Sequence, residues 1–502
     1  MSASEKIALI GRAEKHGTRL AITSSEGAYT YSQLLERSRQ IALSLLNGKD
    51  DLKEQRVAFL SPKGFQYVAL QWGIWRAGGI AVPLGEMHPI SELAYVIRDS
   101  GASIIVAHPE FEARLRTVAW DLGERFHLTG ELLSPAEGSL PQIDRARRAM
   151  ILYTSGTTGK AKGVVSTHLN IQAQVTSLIE AWEWVSEDYI LHVLPLHHVH
   201  GIINVLTCAL WAGARCEVLP RFDPMEVWRK FVELDLTLFM AVPTIYLKLI
   251  AAWEAANRQE RKLMREACQK FRLMVSGSAA LPVSVLAKWK SITGHTILER
   301  YGMTEIGMAL SNPLHGERMP GFVGTPLPQV EVRLVDDGGT PVSSGVSGEI
   351  QVRGPSIFLE YWQRPEETKK SFRHGWFSTG DVAIVEKGVY RILGRKSSDI
   401  IKTGGYKVSA LEIEEAFRTH PAIKECGVVG IEDPEWGERV GAAVILQGGR
   451  ELTLEELRTW GKKILAPYKV PSRFVIVDDL PRNSLGKVKK VLLKKLFEKT
   501  NR

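Results

Sequence analysis

A chain of 502 residues is longer than one hydrophobic core normally serves, so two domains, or one large domain with an appendage, are expected. Hydrophobic residues make up 44% and charged residues 24%, the balance of an ordinary folded protein rather than a disordered, fibrous or disulfide-scaffold chain. A net charge of +8 is modest for the length, and no apolar run reaches the roughly 18–20 residues of a membrane span, so integral membrane association is not expected.

The N-terminal stretch "MSASEKIALIGRAEKHG" lacks the apolar h-region of a signal peptide and carries acids that transit peptides avoid. A cytoplasmic location is expected, with a mature mitochondrial matrix form as the alternative. Beyond it, short β-rich runs alternate with helical patterns. "RVAFLS" (56–61) reads as a strand, "GFQYVALQWGIWRAG" as a helix and "IAVPL" as the next strand. "SIIVA" (103–107), "YILHVLPL" (189–196), "RCEVLP" (215–220) and "LTLFMAVP" (236–243) read as further buried strands, each followed by a helix-length segment. Strands alternating with helices imply parallel α/β sheets.

From about Gly324 the texture changes to "VEVRLVDDGGTPV", "GEIQVRG" and "GVYRILGR", alternating strands with Gly and Asp turns that suggest an antiparallel or barrel-like subdomain. After "GRKSSD" (394–399) the remaining residues form a compact α+β pattern of the size of a small domain. The fold class expected is therefore α/β. A large N-terminal domain (1–395) holds parallel sheets and a β-barrel-like subdomain, and a small α+β domain (396–502) follows. Four cysteines without CxxC spacing read as buried free thiols. The basic tail "RNSLGKVKKVLLKKLFEKTNR" lacks interleaved stacking aromatics, so a solvated helix face or a phosphorylated ligand suits it better than nucleic acid.

The strongest local signal is "YTSGTTGKAKGV" (153–164), between a strand and a helical segment. Closely spaced glycines with Ser and Thr let backbone N–H groups converge on phosphate oxygens, and Lys160 and Lys162 add positive charge. The spacing is not that of a Walker A loop, since only two residues separate Gly156 from Gly159 and Ala161 follows the lysine.

This string resembles the phosphate loop of the ANL superfamily of adenylate-forming enzymes. Further segments are similar to that superfamily's motifs, in its order: "LPLHHVHG" (194–201), "MAVPTIY" (240–246), "SGSAALP" (276–282), "YGMTE" (301–305), "STGD" (378–381), "GRKSSDIIKTGGYKVSALEIE" (394–414) and "PRNSLGK" (481–487). The resemblance implies ATP, Mg²⁺ and coenzyme A as cofactors and co-substrates. It implies pyrophosphate along Thr154, Ser155, Gly156, Thr157, Thr158 and Gly159, with Lys160 beside them, and Mg²⁺ on Glu305. Thr304 would hydrogen-bond near the α-phosphate. Gly277, Ser278, Ala279 and Tyr301 would wall the adenine site, with Gly302 and Met303 leading into the turn. Asp381 would accept from the ribose hydroxyls, with Arg395 nearby. Lys487 would bridge the attacking carboxylate and the α-phosphate, and a rotation of the small domain about 396–398 would then bring Gly404, Gly405 and Tyr406 to the coenzyme A thiol.

The acid is a separate question, because the pocket and not the fold selects it. "LPLHHVHG", "MAVPTIY" and "ERYGMTE" together look most like malonyl-CoA synthetases of the eukaryotic type, in which the Arg before "YGMTE", here Arg300, pairs with the distal carboxylate of malonate. His198 and His200 would line the same polar pocket. A planar guanidinium suits such a carboxylate because it offers two parallel hydrogen bonds. The competing expectation for Arg300 is an internal ion pair with Glu299. Methylmalonate as a second acid, another short-chain acid, and a non-catalytic nucleotide-binding sensor are the alternatives for function; partners are expected to be small molecules only.

Overall fold

The computed structural model describes residues 7–133, 137–154, 161–448, 450–482 and 488–498. The alternation of strands and helices in the long N-terminal part builds two sheets. One has seven strands, in the order Glu360–Tyr361, Lys162–Thr167, Arg148–Thr154, Ile80–Pro83, Arg56–Leu60, Ile104–Ala107 and Arg125–Leu128. The last five pair in parallel, while Lys162–Thr167 and Glu360–Tyr361 run antiparallel to their neighbours. The crossover helix Phe65–Arg76 is apolar on nearly every side because it is buried on nearly every side, Trp72 and Trp75 included.

The other sheet has nine strands. Its interior runs parallel through Leu298–Met303, Leu273–Ser276, Leu238–Ala241, Tyr189–His192, Arg215–Val218 and Leu20–Ser24. The antiparallel edges are Gly307–Ser311 with Thr325–Pro326 on one side and Gly27–Thr30 on the other. The strand expected over 189–196 stops at His192. Pro195 has no N–H to give a ladder, and the backbone carbonyls of Val193 and Leu196 are taken instead by Lys63 Nζ (3.5 Å) and by the Tyr67 hydroxyl. The chain therefore leaves the sheet and enters a π-helix, His200–Thr207, a local irregularity common at functional sites.

The barrel-like subdomain is a five-stranded antiparallel sheet of Glu331–Val335, Gly348–Arg353, Phe372–Arg373, Trp376–Glu386 and Val389–Arg395. After Arg395 a tight turn, closed by the Asp399 N–H on the Arg395 carbonyl (2.8 Å), leads to Ile400–Thr403 in a fourth sheet with its own core around Phe417, Val428 and Val444. Contacts that seat this last unit on the large one include a backbone hydrogen bond and an ion-pair cluster. The Val283 N–H donates to Glu415 (2.9 Å), and Asp337 holds Lys407 (2.7 Å) together with Lys396 (2.9 Å). No helix among the described residues is long and apolar enough to cross a membrane.

Under the nine-stranded sheet, Trp289 stacks on Trp228 (5.7 Å) and meets Tyr246 edge-on (5.0 Å), while the Tyr246 hydroxyl donates to the Val275 carbonyl (3.0 Å). This aromatic block backs the two strands that carry the site. Trp289→Ala is expected to destabilise the large domain by about 3–5 kcal/mol, read as a lower urea midpoint by far-ultraviolet circular dichroism, with Trp289→Phe costing distinctly less.

Candidate active site

The strand Leu298–Met303 alternates its side chains across the sheet, so the neighbours Glu299 and Arg300 point to opposite faces. Glu299 accepts from the Leu281 N–H at 3.1 Å. Arg300 lies instead across Gly277, where an added Cβ would sit 2.3 Å from the guanidinium carbon; only glycine leaves room for it. The expected alternative, an ion pair between the two, is thereby excluded by strand geometry.

Arg300 is 3% exposed, and its Nε and Nη2 have no hydrogen-bond partner among the described residues. Those two nitrogens form one edge of the guanidinium, the edge that grips both oxygens of a carboxylate. Burial alone pushes its pKa down to about 9, so the group is still a cation at neutral pH, with its charge unanswered. Arg300 also lowers the pKa of the buried His200, after burial itself, and that imidazole is neutral. His200 Nδ1 lies 3.2 Å from Ser278 Oγ, and its Nε2 is buried without a partner. With the hydroxyl donating to Nδ1, Nε2 carries the proton and offers it inward. Ser278 itself takes a left-handed backbone (φ 69°), the kind of strain found at ligand sites.

His198 packs on His197 (4.1 Å), which meets His88 edge-on (4.9 Å), and burial pushes His198 down to about 4. One π-turn beyond His200, Asn204 is fully buried with both amide atoms unpartnered. The site thus gathers a cation and several neutral hydrogen-bonding groups at the carboxyl ends of parallel strands, the usual place for a ligand in an open α/β sheet.

The same strand then turns through Thr304 and Glu305 into Gly307–Ser311. Glu305 is buried, and burial raises its pKa; its Oε1 accepts from the Tyr361 hydroxyl at 2.9 Å. Thr304, Gly302 and Met303 are half-buried beside it. Asp381, on Trp376–Glu386, accepts from the Tyr301 hydroxyl (2.6 Å) and from Arg395 Nε (2.9 Å) and Nη2 (3.2 Å). Among the described residues no group of three or more His, Cys, Asp or Glu is placed to hold a metal. A single buried carboxylate fits Mg²⁺ well, because this ion keeps its waters and takes most ligands from substrate phosphates.

Thr154 ends its strand half-buried, and Ala279 lies half-buried two residues beyond Gly277. Ser155, Gly156, Thr157, Thr158, Gly159, Lys160 and Lys487 lie outside the described residues. Lys162, expected to add charge toward phosphates, is paired with Glu367 and sits 5.3 Å from the Tyr361 ring. Gly404 and Gly405 form a two-residue hairpin turn with φ of 53° and 82°, the mirror-image turn that glycine favours. This tip is exposed, and Tyr406 stacks on Tyr468 (4.2 Å).

One part of the site has no local signal in the sequence, and another has a contact that its motif did not foretell. Tyr361 reaches Glu305 from the two-residue strand Glu360–Tyr361, and Gly277 matters through a contact 23 residues away in sequence. Gly277 was expected to wall the adenine site, and the structure lays it against Arg300.

Comparison with known proteins agrees with this geometry. Residues 10–362 match the family model described as AMP-binding enzyme, and residues 412–487 match the AMP-binding enzyme C-terminal domain. The mitochondrial malonate–CoA ligase ACSF3 of Homo sapiens is 48% identical over 97% of this chain and 91% of its own length. Malonate–CoA ligase of Arabidopsis thaliana is 42% identical over 96% of this chain and 86% of its own. The crystal structure of ATP-bound MatB from Rhodopseudomonas palustris superposes with a TM-score of 0.92 at 33% identity, covering 99% of this chain and all of that one. With both of its characteristic domain models matched in order, this chain belongs to the AMP-binding enzyme family, the adenylate-forming ANL superfamily.

Proposed function

We propose that this chain joins malonate to coenzyme A in two steps at the site around Arg300 and Glu305. In the first, one malonate carboxylate oxygen attacks the α-phosphorus of ATP, the bond to pyrophosphate breaks, and malonyl-adenylate forms. In the second, the coenzyme A thiol loses its proton and attacks the acyl carbon, releasing AMP and malonyl-CoA. The observation that carries this reading is the buried, unpaired edge of Arg300. A cation removed from water at this depth strongly favours an anionic partner, and the far carboxylate of a short diacid supplies one. His200 Nε2 adds a neutral donor at its side. The malonate–CoA ligase relatives support the same acid.

Asp381, held between Tyr301 and Arg395, presents acceptors suited to ribose hydroxyls. When bound, Mg²⁺ neutralises phosphate charge, and Glu305 would hold it with the Tyr361 hydroxyl fixing the carboxylate. Lys487 stabilises the charge that develops at the α-phosphate. The turn at 396–398 is the hinge between a large domain (1–395) and a small one (396–502). Rotation there brings Gly404, Gly405 and Tyr406 to the thiol path. The mitochondrial name of the vertebrate relative supports a mitochondrial form over a cytoplasmic one.

A panel of mono- and dicarboxylic acids in a coenzyme A-dependent pyrophosphate-release assay tests the reading. Malonate should lead, and Arg300→Ala should lower its kcat/KM by about 100-fold or more, the scale of truncating one partner of a buried charge pair, while acetate and propionate change little. An equal drop for all three acids returns Arg300 to the scaffold. Gly277→Ala should mimic this loss, because displacing a positioned group by about 1 Å costs on the order of 100-fold.

The two steps separate by mutation. Lys487→Ala should lose about 100- to 1,000-fold in adenylation yet still transfer acyl from supplied malonyl-adenylate. Gly405→Leu should show the reverse, sparing pyrophosphate release and blocking thioester formation. Equal loss of both steps in either variant contradicts its assignment.

A further inference from the structure

The phosphate motif is flanked by two paired strands, Arg148–Thr154 and Lys162–Thr167, and both flanks are gripped from one helix. On Ile90–Ser100, Tyr95 and Asp99 are four residues apart and so share a face. The Tyr153 hydroxyl, just before the motif's core, donates to Asp99 Oδ2 at 2.8 Å. The Tyr95 hydroxyl donates to the backbone carbonyl of Ala161, just after it, at 2.7 Å. Arg364 closes the clamp: its Nη2 donates to Asp99 Oδ1 at 2.8 Å and lies 3.3 Å from the Tyr95 hydroxyl. The two tyrosine rings meet edge-on at 6.2 Å.

The clamp continues toward the carboxylate turn. Arg364 lies 3.9 Å from Glu367, Glu367 pairs with Lys162, and Lys162 sits over the ring of Tyr361, whose hydroxyl donates to Glu305. Each link is a direct contact. Asp99 is a half-buried carboxylate shared by a phenol and a guanidinium, and charge-assisted bonds of this kind hold geometry better than neutral ones.

We infer that Tyr95, Asp99 and Arg364 are positioning residues for the nucleotide: they fix the separation of the motif's two flanks and register it to Glu305. They touch neither the acid nor its Arg300 pocket. Their loss should therefore act on ATP and on adenylation and leave the acid and the second step alone. This rests on the adenylation reading above.

The test uses the full-length protein and the variants Asp99→Asn, Tyr95→Phe and Tyr153→Phe. Asp99→Asn keeps the shape but replaces one acceptor oxygen with a donor, and Tyr153→Phe removes only the hydroxyl that Asp99 binds. Each single variant is expected to raise KM for ATP about 10-fold and slow pyrophosphate release, with KM for malonate and transfer from supplied malonyl-adenylate within about twofold. The Asp99→Asn, Tyr153→Phe double variant should lose less than the product of the singles, since both remove one contact. ATP alone should also raise the melting temperature less in the variants than in the parent. That readout needs no acid, so it stands even if malonate proves the wrong substrate, an outcome marked by a parent inactive with malonate. Equal losses in ATP, malonate and acyl transfer would make the clamp merely structural, and unchanged KM and ATP-induced stabilisation would overturn it outright.

Discussion

Arg300 carries a full charge into an interior where no acid among the described residues answers it. Taking an isolated ion out of water is among the most expensive things a fold can do, and proteins normally avoid it by pairing the ion or neutralising it. Here the strand sends the nearest acid, Glu299, to the opposite face, where a backbone N–H occupies it. Gly277 lets the guanidinium lie flat against the chain instead of swinging out to solvent. The fold is thus stable enough to hold a site that is electrostatically incomplete, and in the proposed function the far carboxylate of the acid completes it.

The rest of the site answers that constraint. The imidazole of His200 stays neutral because burial and the nearby cation both oppose its protonation, so it adds no second positive charge to repel or trap the acid. In the neighbouring antiparallel sheet one charge is balanced within the protein, and at the turn another is not. Asp381 has Arg395, while Glu305 accepts from a phenol, and Arg395 is near enough to favour its charged form. A carboxylate held by hydrogen bonds and not tied up in a direct ion pair keeps its capacity to bind a hard ion. Charge is left open at two places, one negative and one positive, only a few residues apart on one strand and its turn.

Much of this was legible in the sequence, and for identifiable reasons. The strands Arg56–Leu60 and Ile104–Ala107 follow from apolar runs, and the small domain follows from period and turn chemistry. Glu305 and Asp381 stand in recognisable motif strings. What could not be read depends on contacts between distant segments. The strand over 189–196 breaks because Lys63 and Tyr67 take its carbonyls, and neither residue is near in sequence. The separation of Glu299 from Arg300 needed the strand's phase, which the flanking "TIL" and "YGM" left open. Tyr361 could not be found at all, because two residues of pairing carry no periodicity.

The placement of these parts over different sheets has a consequence for how the protein can change. Arg300 belongs to the nine-stranded sheet with Gly277 just past the end of its neighbouring strand, the flanks of the phosphate motif to the seven-stranded sheet, and Asp381 with Arg395 to the antiparallel one. On the reading proposed above, acid choice is written in a few positions whose replacement leaves the other two sheets intact. A descendant gene could exchange a diacid for a monoacid by rewriting the arginine and the glycine beneath it, while inheriting the rest of the machinery unaltered. Chemistry that is shared and chemistry that is particular are held in separable pieces of one chain.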